Sequence, residues 1–328
     1  MSYRTIIAEA WLYTQQNKKL IYWFGFFPSI FTTAAGVLYL TYQFFAFKKS
    51  ELFAHSAASH SFLSDVVTFI FNYLSSHAEQ RVPLIITAAV LGVIYLLLPT
   101  LTQASAIQII ARHRNGQEAG IGDGLKYGLL SYLPLFEYHT FAKTFGLFTI
   151  FFEAAFVLRN LGTEIFKVLL PFFLAYMAIG FVLTLLFTYA DLYIIIDNEG
   201  VMSSIAKSAK IVILHWQKTF LITALMLIIG ARIILQIILL IVVPGAVIIG
   251  TAYFASAGTL AQIGIAIGVV LGIAALLFAA YLGGIVEIFS YAVWTYTFLE
   301  LTSEKELSAR ENTLSARDEV PHHDGMEN

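Results

Sequence analysis

Four charged side chains interrupt or border long uncharged stretches of this sequence: Glu153, Asp191, Arg232 and Glu287. Inside a membrane such groups are energetically costly, and they pair with one another or take part in function. Counting ~1.5 Å per helical residue from the start of each stretch places Arg232 at a depth of about 20 Å and Glu153 at about 18 Å. The spacing therefore predicts an intramembrane ion pair between Arg232 and Glu153, with Glu287 as the second candidate partner.

This predicted ion pair has two possible roles. Buried ion pairs hold elements in place more often than they carry out chemistry, so a structural pair that fixes two helices is the first expectation. The alternative is that Arg232 and Glu153 form a coupling site or bind a substrate anion near the middle of the membrane.

The other reactive residue types form no recognisable motif. His55, His60 and His77 share one segment with two acidic residues, but their spacing matches no metal site. The glycine-rich stretch at 120–124 lacks the pattern of a phosphate-binding loop, and the chain contains no Cys. We therefore predict no catalytic residue, no metal ion and no cofactor, and an enzymatic activity is disfavoured.

The composition determines which elements must hold these charges. Charged residues are 12% of the 328 residues, the hydrophobic set is 59%, and the mean hydropathy is +0.78. Soluble globular domains have roughly 25% charged residues, and a monomer this apolar lacks the polar groups to cover its surface in water. Soluble, disordered and nucleic-acid-binding classes are excluded, and we predict an all-α polytopic membrane protein.

Six stretches are apolar enough to cross a membrane, which takes ~20 residues of helix. They are predicted at 20–47, 82–111, 141–158, 168–190, 219–243 and 261–286. The stretch at 141–158 is the shortest and contains Glu153. A polar, acidic segment follows at 302–328, so the sequence predicts one six-span membrane domain over 1–301 and a cytoplasmic tail.

Lys and Arg residues are unevenly divided between the two sides of this arrangement. With the N-terminus inside, thirteen of the 19 lie in cytoplasmic segments and five in outer segments, while Arg232 lies within a span. An excess of Lys and Arg marks the cytoplasmic side. We therefore predict a multi-pass protein of the bacterial cytoplasmic (inner) membrane with both termini in the cytoplasm.

Three cytoplasmic segments carry apolar stripes at helical spacing, and each is followed by Lys before the next span. The stripes are Ile7/Ala10/Trp11/Thr14, Leu125/Leu129/Tyr132/Leu133/Phe136 and Val201/Ile205/Ala209/Val212/Trp216. Such stripes are typical of amphipathic helices that lie in the membrane interface. We expect Trp11, Tyr132 and Trp216 to contact lipid there, and a fourth interfacial helix over 62–74 on the outer side.

Two passages of the sequence resemble a known family. The segment 194–220 reads IIIDNEGVMSSIAKSAKIVILHWQKTF, and the aromatic-rich segment 291–301 ends in Glu300 and Leu301. Both are similar to bacterial six-span inner-membrane proteins that include the membrane domain of glycerophosphodiester phosphodiesterases and related uncharacterised integral membrane proteins. The resemblance implies a fold and a location. The catalytic domain that such membrane domains can carry is missing, so no active-site residue is carried over.

These observations favour a non-enzymatic membrane scaffold or accessory protein that acts through lipids and other membrane proteins, without nucleic acid. The alternative is a small-solute or lipid transporter with Arg232 and Glu153 at its midplane. A transporter places several polar residues together inside the membrane, and one such patch is present at Pro99, Thr100, Thr102, Gln103 and Ser105. A lipid-processing enzyme has the least support.

Overall fold

The computed structural model describes residues 3–48, 62–231, 235, 238, 242 and 259–318. Over these residues the chain is helical apart from short connecting segments and contains no β-strand. The predicted all-α class is therefore confirmed for this part of the chain. Arg232, and with it the predicted ion pair, lies outside the described residues, as do His55 and His60.

Eleven helices are described within these ranges. They are α1 (Tyr3–Gln16), α2 (Lys18–Lys48), α3 (Phe62–Ser76), α4 (Ala78–Arg114), α5 (Ile121–Thr144), α6 (Leu147–Asn160), α7 (Gly162–Leu186), α8 (Ala190–Ile196), α9 (Val201–Leu214), α10 (Trp216–Ala231) and α11 (Thr259–Asp318). Helix α2 contains one π-helical segment, Ile21–Phe26. Gly162 has a φ of +81° at the start of α7, a conformation that glycine adopts without strain where α6 turns into α7.

Four stretches of the described chain are long and apolar enough to cross a membrane: Lys18–Lys48, Ala78–Arg114, Gly162–Ile196 and Ala266–Ser303. Helices α9 and α10 together qualify as a fifth, although they are bent by 99° at His215. The chain is therefore a helical protein with several potential membrane spans, and the number six stays a prediction.

The predicted third span, at 141–158, is where the structure departs most from the sequence-based expectation. Helix α5 continues to Thr144, and α6 begins only at Leu147. At this break the carbonyl oxygen of Phe145 lies close to Gly180 of α7. A methyl group added to Gly180 would lie 2.7 Å from that oxygen. The stretch is thus divided between two helices, and α6, at 14 residues, is shorter than the ~20 residues that a bilayer requires.

Side-chain packing is concentrated at one end of the long helices, which we call the packed end. It comprises 20–29 of α2, 100–111 of α4 and 279–301 of α11, together with α1, α5, α8 and α9. One core cluster joins α1, α2, α4 and α11, and includes Ala10, Phe24, Ile110 and Val293. A second joins α4, α5, α8, α9 and α11, and includes Ile107, Leu135, Ile194 and Phe298.

The other ends of the long helices, which we call the open end, have large apolar side chains on their surface. The open end comprises 36–45 of α2, 82–97 of α4, 162–182 of α7 and 267–278 of α11. Exposed residues there include Leu38, Leu96, Phe172 and Val270. Helices this apolar on their outer surface match a hydrocarbon environment rather than water.

The predicted interfacial stripes meet different surroundings. In α1 the buried face is Ile6, Ala10, Tyr13 and Thr14, while Trp11 is about half exposed. In α5 the stripe residues Leu125, Leu129 and Leu133 are exposed, and the opposite face packs on α4.

The α9 stripe differs from the sequence-based expectation. Val201 and Val212 are buried in the second core cluster, because this face of α9 packs on α7 and α8 instead of lipid. The segment 62–74, predicted as an outer interfacial helix, lies within helix α3.

Candidate functional site

The polar patch on α4 meets the carboxylate of Asp191 inside the packed end. Gln103 Nε2 donates a hydrogen bond of 2.9 Å to Asp191 Oδ2. The other carboxylate oxygen, Oδ1, accepts one of 2.9 Å from the backbone N–H of Leu192. Asp191 lies in the first turn of α8, where the free N–H groups and the helix dipole favour a negative charge.

A histidine extends this contact to a third helix. His139 of α5 lies with Nε2 2.9 Å from Gln103 Oε1. An ionised carboxylate only accepts hydrogen bonds, so the amide nitrogen of Gln103 faces Asp191 and its oxygen faces His139. The Nε2 atom of His139 therefore carries a proton when Asp191 is ionised, and Asp191–Gln103–His139 forms a connected polar chain across α8, α4 and α5.

Small residues bring α5 close enough to α4 for this chain to form. A methyl group on Gly128 would lie 2.2 Å from Ser105 Oγ and 2.8 Å from the Ser105 backbone nitrogen. A methyl group on Gly124 would meet the Ile109 side chain at 2.3 Å. Only residues without a Cβ permit this approach, as at small-residue crossings of membrane helices.

Asp191 lines two cavities. One has a volume of 280 Å³ and is bordered by Thr223, Ser290, Tyr291 and Trp294 among others. The second has a volume of 310 Å³ and is bordered by residues such as Tyr138, His139 and Phe187. Thr184, Thr188 and Asp191 border both, so the carboxylate lies at the boundary between the two spaces.

A second carboxylate, Glu287 of α11, lies close to the first cavity. Its Oε1 accepts a hydrogen bond of 2.6 Å from the Tyr291 hydroxyl, and its Oε2 accepts one of 3.3 Å from the Ser29 hydroxyl. Tyr291 also borders the 280 Å³ cavity beside Asp191. The two carboxylates therefore lie on either side of one tyrosine.

Glu287 is positioned by a backbone contact between α2 and α11. A methyl group on Gly25 would lie 2.5 Å from the Gly284 carbonyl oxygen, and one on Gly284 would lie 2.4 Å from the Phe26 nitrogen. Gly25 belongs to the π-helical segment of α2, a distortion that is frequent at functional sites. Ser29 follows one turn after Gly25, which places its hydroxyl next to Glu287.

Tyr138 closes the second cavity from the α5 side. Its hydroxyl donates a hydrogen bond of 3.0 Å to the Phe187 carbonyl, in the break between α7 and α8. Burial, and secondly the Asp191 carboxylate, raise the pKa of Tyr138 far above its ordinary value of 10.0. The hydroxyl therefore keeps its proton. It continues to donate the hydrogen bond that connects α5 to the segment between α7 and α8.

Of the predicted ion-pair residues, the structure describes Glu153 and Glu287, and these two lie in different places. Glu153 is exposed on α6, where it borders a different cavity together with Arg159. Glu287 is half-buried and bonded to Tyr291 and Ser29, as described above. The predicted pairing of either residue with Arg232 falls outside the described residues.

The three predicted lipid-contact residues are at least partly accessible. Trp11 is 45% exposed and packs edge-to-face on Phe289 with a ring-centroid distance of 5.6 Å. Tyr132 stacks on Phe136 at 5.9 Å, and Trp216, 60% exposed, begins α10 just after the bend.

Sequence reasoning found this site only in part. The sequence indicates Gln103 as a member of a polar patch and Asp191 as a charge after an uncharged stretch, but it gives no sign of His139. A lone histidine in a segment of mixed polarity carries no signal of its own. Its role depends on the Gly128–Ser105 contact between α5 and α4, which only the fold shows.

Comparisons with known proteins add no family to this description. No protein-family model, no curated protein and no solved structure matches the chain.

Proposed function

We propose that the chain is a small-solute transporter that binds a cation or a proton at Asp191. The observation that carries this proposal is that the Asp191 carboxylate borders two cavities at once. A binding group located between two spaces can exchange its ligand with either of them, which alternating access requires. The proposed binding site comprises Asp191, Gln103 and His139.

The chemistry of the cavity walls favours a positively charged ligand. Asp191, Thr184, Thr188 and Thr223 border one cavity, and Glu287 accepts a hydrogen bond from Tyr291 in the wall of that cavity. Hydroxyl and carboxylate oxygens are ligands for hard cations and acceptors for ammonium groups. Ionisable residues inside a membrane protein also mark ion pathways and proton relays.

His139 provides a means of coupling to protons. An imidazole that binds a second proton becomes positively charged. When His139 is protonated, its positive charge acts on Asp191 through Gln103 and weakens the hold of the site on a cation. Proton binding at His139 and cation binding at Asp191 should therefore oppose each other.

A scaffold or accessory protein is the second candidate function, and one observation favours it. The polar groups of the site bond to one another, through Gln103–Asp191, His139–Gln103 and Tyr291–Glu287. Networks satisfied in this way fix the positions of helices without a ligand. If the chain is a scaffold, it carries no flux, and replacing the network with apolar residues changes only the stability of the protein.

The experiment is flux in proteoliposomes, measured with a pH-sensitive dye for protons and with radioactive tracers for Na⁺, K⁺ and ethanolamine. An imposed potential should drive protons or Na⁺ into vesicles with the wild-type chain, and Asp191→Asn should abolish this flux. Glu137→Gln, an exposed carboxylate of α5 one residue from Tyr138, is the matched control and should leave the flux unchanged. If folded wild-type protein gives no more flux than empty vesicles with protons, Na⁺, K⁺ or ethanolamine, the transporter proposal is wrong and the scaffold is preferred.

We also propose the topology that the charge distribution predicts, with both termini in the cytoplasm of a bacterium. The division of thirteen to five Lys and Arg residues supports it. Reporter fusions after Lys49 and Lys167 should then report the outer side, and fusions after Arg114 and Lys210 the cytoplasm. A cytoplasmic signal at Lys167 would mean that α6 is not part of a membrane crossing. The predicted side of the membrane would then be reversed for every later segment.

The same topology implies that the packed end faces the cytoplasm and that α1, α5 and α9 lie near the inner interface. The 99° bend between α9 and α10 supports this placement for α9, because a spanning α10 directs α9 along the membrane plane. The resemblance of 194–220 and 291–301 to the membrane domain of glycerophosphodiester phosphodiesterases remains part of this proposal. It covers the fold and the location only.

A further inference from the structure

A cavity of 690 Å³ lies between α2, α6 and α7 at the open end, and it is more than twice the size of either cavity beside Asp191. Its walls carry one positive and one negative side chain, Arg159 and Glu153, both from α6. Tyr39, Tyr42 and Gln43 of α2 form the facing wall. This combination of opposite charges and aromatic rings differs from the acidic surroundings of Asp191.

The positive side of the cavity is a preorganised guanidinium. Arg159 Nη1 donates a hydrogen bond of 2.6 Å to Gln43 Oε1. Its guanidinium carbon lies 5.7 Å from the centre of the Tyr42 ring and 5.9 Å from that of Phe156. Gln43 is neutral, and no ion pair within the described chain includes Arg159. The guanidinium is therefore held in place while its charge remains available to an anion.

The negative side of the cavity is the exposed carboxylate of Glu153. Six residues separate it from Arg159 along α6, which corresponds to ~9 Å of helix axis. Both side chains border the same cavity, so one ligand can reach both of them. A simple anion at Arg159 would be repelled by Glu153, and a simple cation at Glu153 would be repelled by Arg159. A ligand that carries both charges satisfies both groups.

The remaining walls suit the apolar part of such a ligand. Tyr39 packs edge-to-face on Phe152 at 4.9 Å, and both rings border the cavity. Exposed apolar residues such as Phe44 and Phe151 continue from this point onto the open end. Aromatic side chains of this kind are typical of the level of lipid headgroups.

We propose that this cavity binds the headgroup of a zwitterionic phospholipid with a primary ammonium, as in phosphatidylethanolamine. Arg159 binds the phosphate through charge-assisted hydrogen bonds, and Glu153 accepts hydrogen bonds from the ammonium. Tyr39, Phe152 and Phe156 pack against the glycerol and the first carbons of the acyl chains. The proposal uses no residue of the Asp191 site and holds whether or not that site transports a solute.

Native mass spectrometry of the full chain in detergent, titrated with phosphatidylethanolamine and with phosphatidylglycerol of the same acyl chains, tests this proposal. Wild-type protein should bind phosphatidylethanolamine more tightly. Arg159→Gln should weaken that binding about tenfold, the usual size of a charge-assisted hydrogen bond. Glu153→Gln should remove the preference between the two lipids, because it removes the acceptor for ammonium and the repulsion of a net anion.

Glu164 and Lys167 supply matched controls. They form an exposed ion pair of 2.8 Å in the first turns of α7, outside the cavity. Glu164→Gln and Lys167→Gln make the same charge changes and should leave both affinities as in the wild type. Arg159→Lys keeps the charge and should retain most of the binding, which separates loss of charge from loss of folding.

Three results would overturn the proposal. The first is that wild-type protein binds the two lipids equally tightly. The second is that the α7 control variants lose as much lipid affinity as the cavity variants do. The third is soluble phosphoethanolamine binding as tightly as the lipid, which would assign the cavity to a free zwitterion rather than to a membrane component.

Discussion

The two halves of α4 show how differently one helix can be surrounded. All of its buried residues fall between Thr100 and Ala111, while Val82, Ile86, Val93 and other large apolar residues before Pro99 are exposed. The buried half is rich in Thr, Ser, Ala and Gln, and the exposed half in Leu, Val and Ile. The more apolar half of the helix is thus the one with fewer protein contacts.

This inversion follows from the membrane as a solvent. Lipid tails are as apolar as leucine, so no hydrophobic force drives one membrane helix onto another. Close packing between small residues and hydrogen bonds between polar ones provide the association instead. The packed end has both features, at Gly25–Gly284, Gly128–Ser105 and Gln103–Asp191. The open end has neither to the same degree and offers its apolar surface to lipid.

The largest expected difference between the two ends concerns deletion of an aromatic ring. Phe298 is 1% exposed and packs on Tyr189 and Tyr193, whereas Phe172 is 72% exposed. Phe298→Ala should lower the free energy of unfolding by about 3–5 kcal/mol because it leaves a cavity. Phe172→Ala should change it by less than about 1 kcal/mol. Denaturation in mixed detergent micelles measures both, and equal losses would contradict the distinction between the two ends.

The next largest contrast is between two glycines, one at the packed end and one at the open end. Gly284→Ala should destabilise the fold by about 1–3 kcal/mol, since the new methyl group would lie 2.4 Å from the Phe26 nitrogen and force α11 away from α2. At Gly92, in the exposed half of α4, no atom lies within 4 Å. Gly92→Ala should stabilise the protein by about 0.5–1 kcal/mol through helix propensity. A stabilising Gly284→Ala would show that α2 and α11 are not in contact there.

A smaller effect is expected from the two faces of α5. Leu129 and Leu133 are exposed, while Ser131 and Leu135 are buried. Leu129→Ser with Leu133→Ser should reduce contact with lipid without loosening α5 from α4. Because the chain has no Cys, a fluorophore on a single Cys introduced at Leu130, itself exposed, can report the polarity around this face. Its emission should be blue-shifted in the otherwise wild-type protein and red-shifted in the double variant.

The smallest effect concerns pH at the start of α9. Hydrogen bonds from Lys207 and Ser203 lower the pKa of the Glu199 carboxyl below its ordinary value of 4.5. A carboxyl with a lowered pKa stabilises the fold above its ordinary pKa and loses that contribution as the pH falls through the pKa of the folded state. Wild-type protein should therefore lose stability below pH 4.5 slightly more steeply than Glu199→Gln. The same slope in both would show that the contact with Lys207 contributes nothing.

Particular residues show how far the sequence predicted the site. Gln103 was recognised because a polar patch within an apolar stretch is unusual, and Glu287 because a charge there is costly. Equal counting along two stretches predicts that Glu153 and Arg232 lie at similar depths. In the structure α5 ends at Thr144, and Glu153 is exposed on the separate short helix α6. Counting residues gives depth only along an unbroken helix, and this stretch is interrupted at Gly146, whose backbone is extended.

The sequence by itself determined the helical class and the potential for several membrane spans, because composition and the length of apolar stretches depend on local chain alone. The tertiary structure decided which carboxylate lies between cavities, which histidine reaches it, and which face of each helix meets protein. Those outcomes depend on contacts between residues far apart in the chain, such as Gln103 with Asp191 and Gly25 with Gly284. The geometry of a helix crossing is set by the fit of both partners, and neither local stretch contains it.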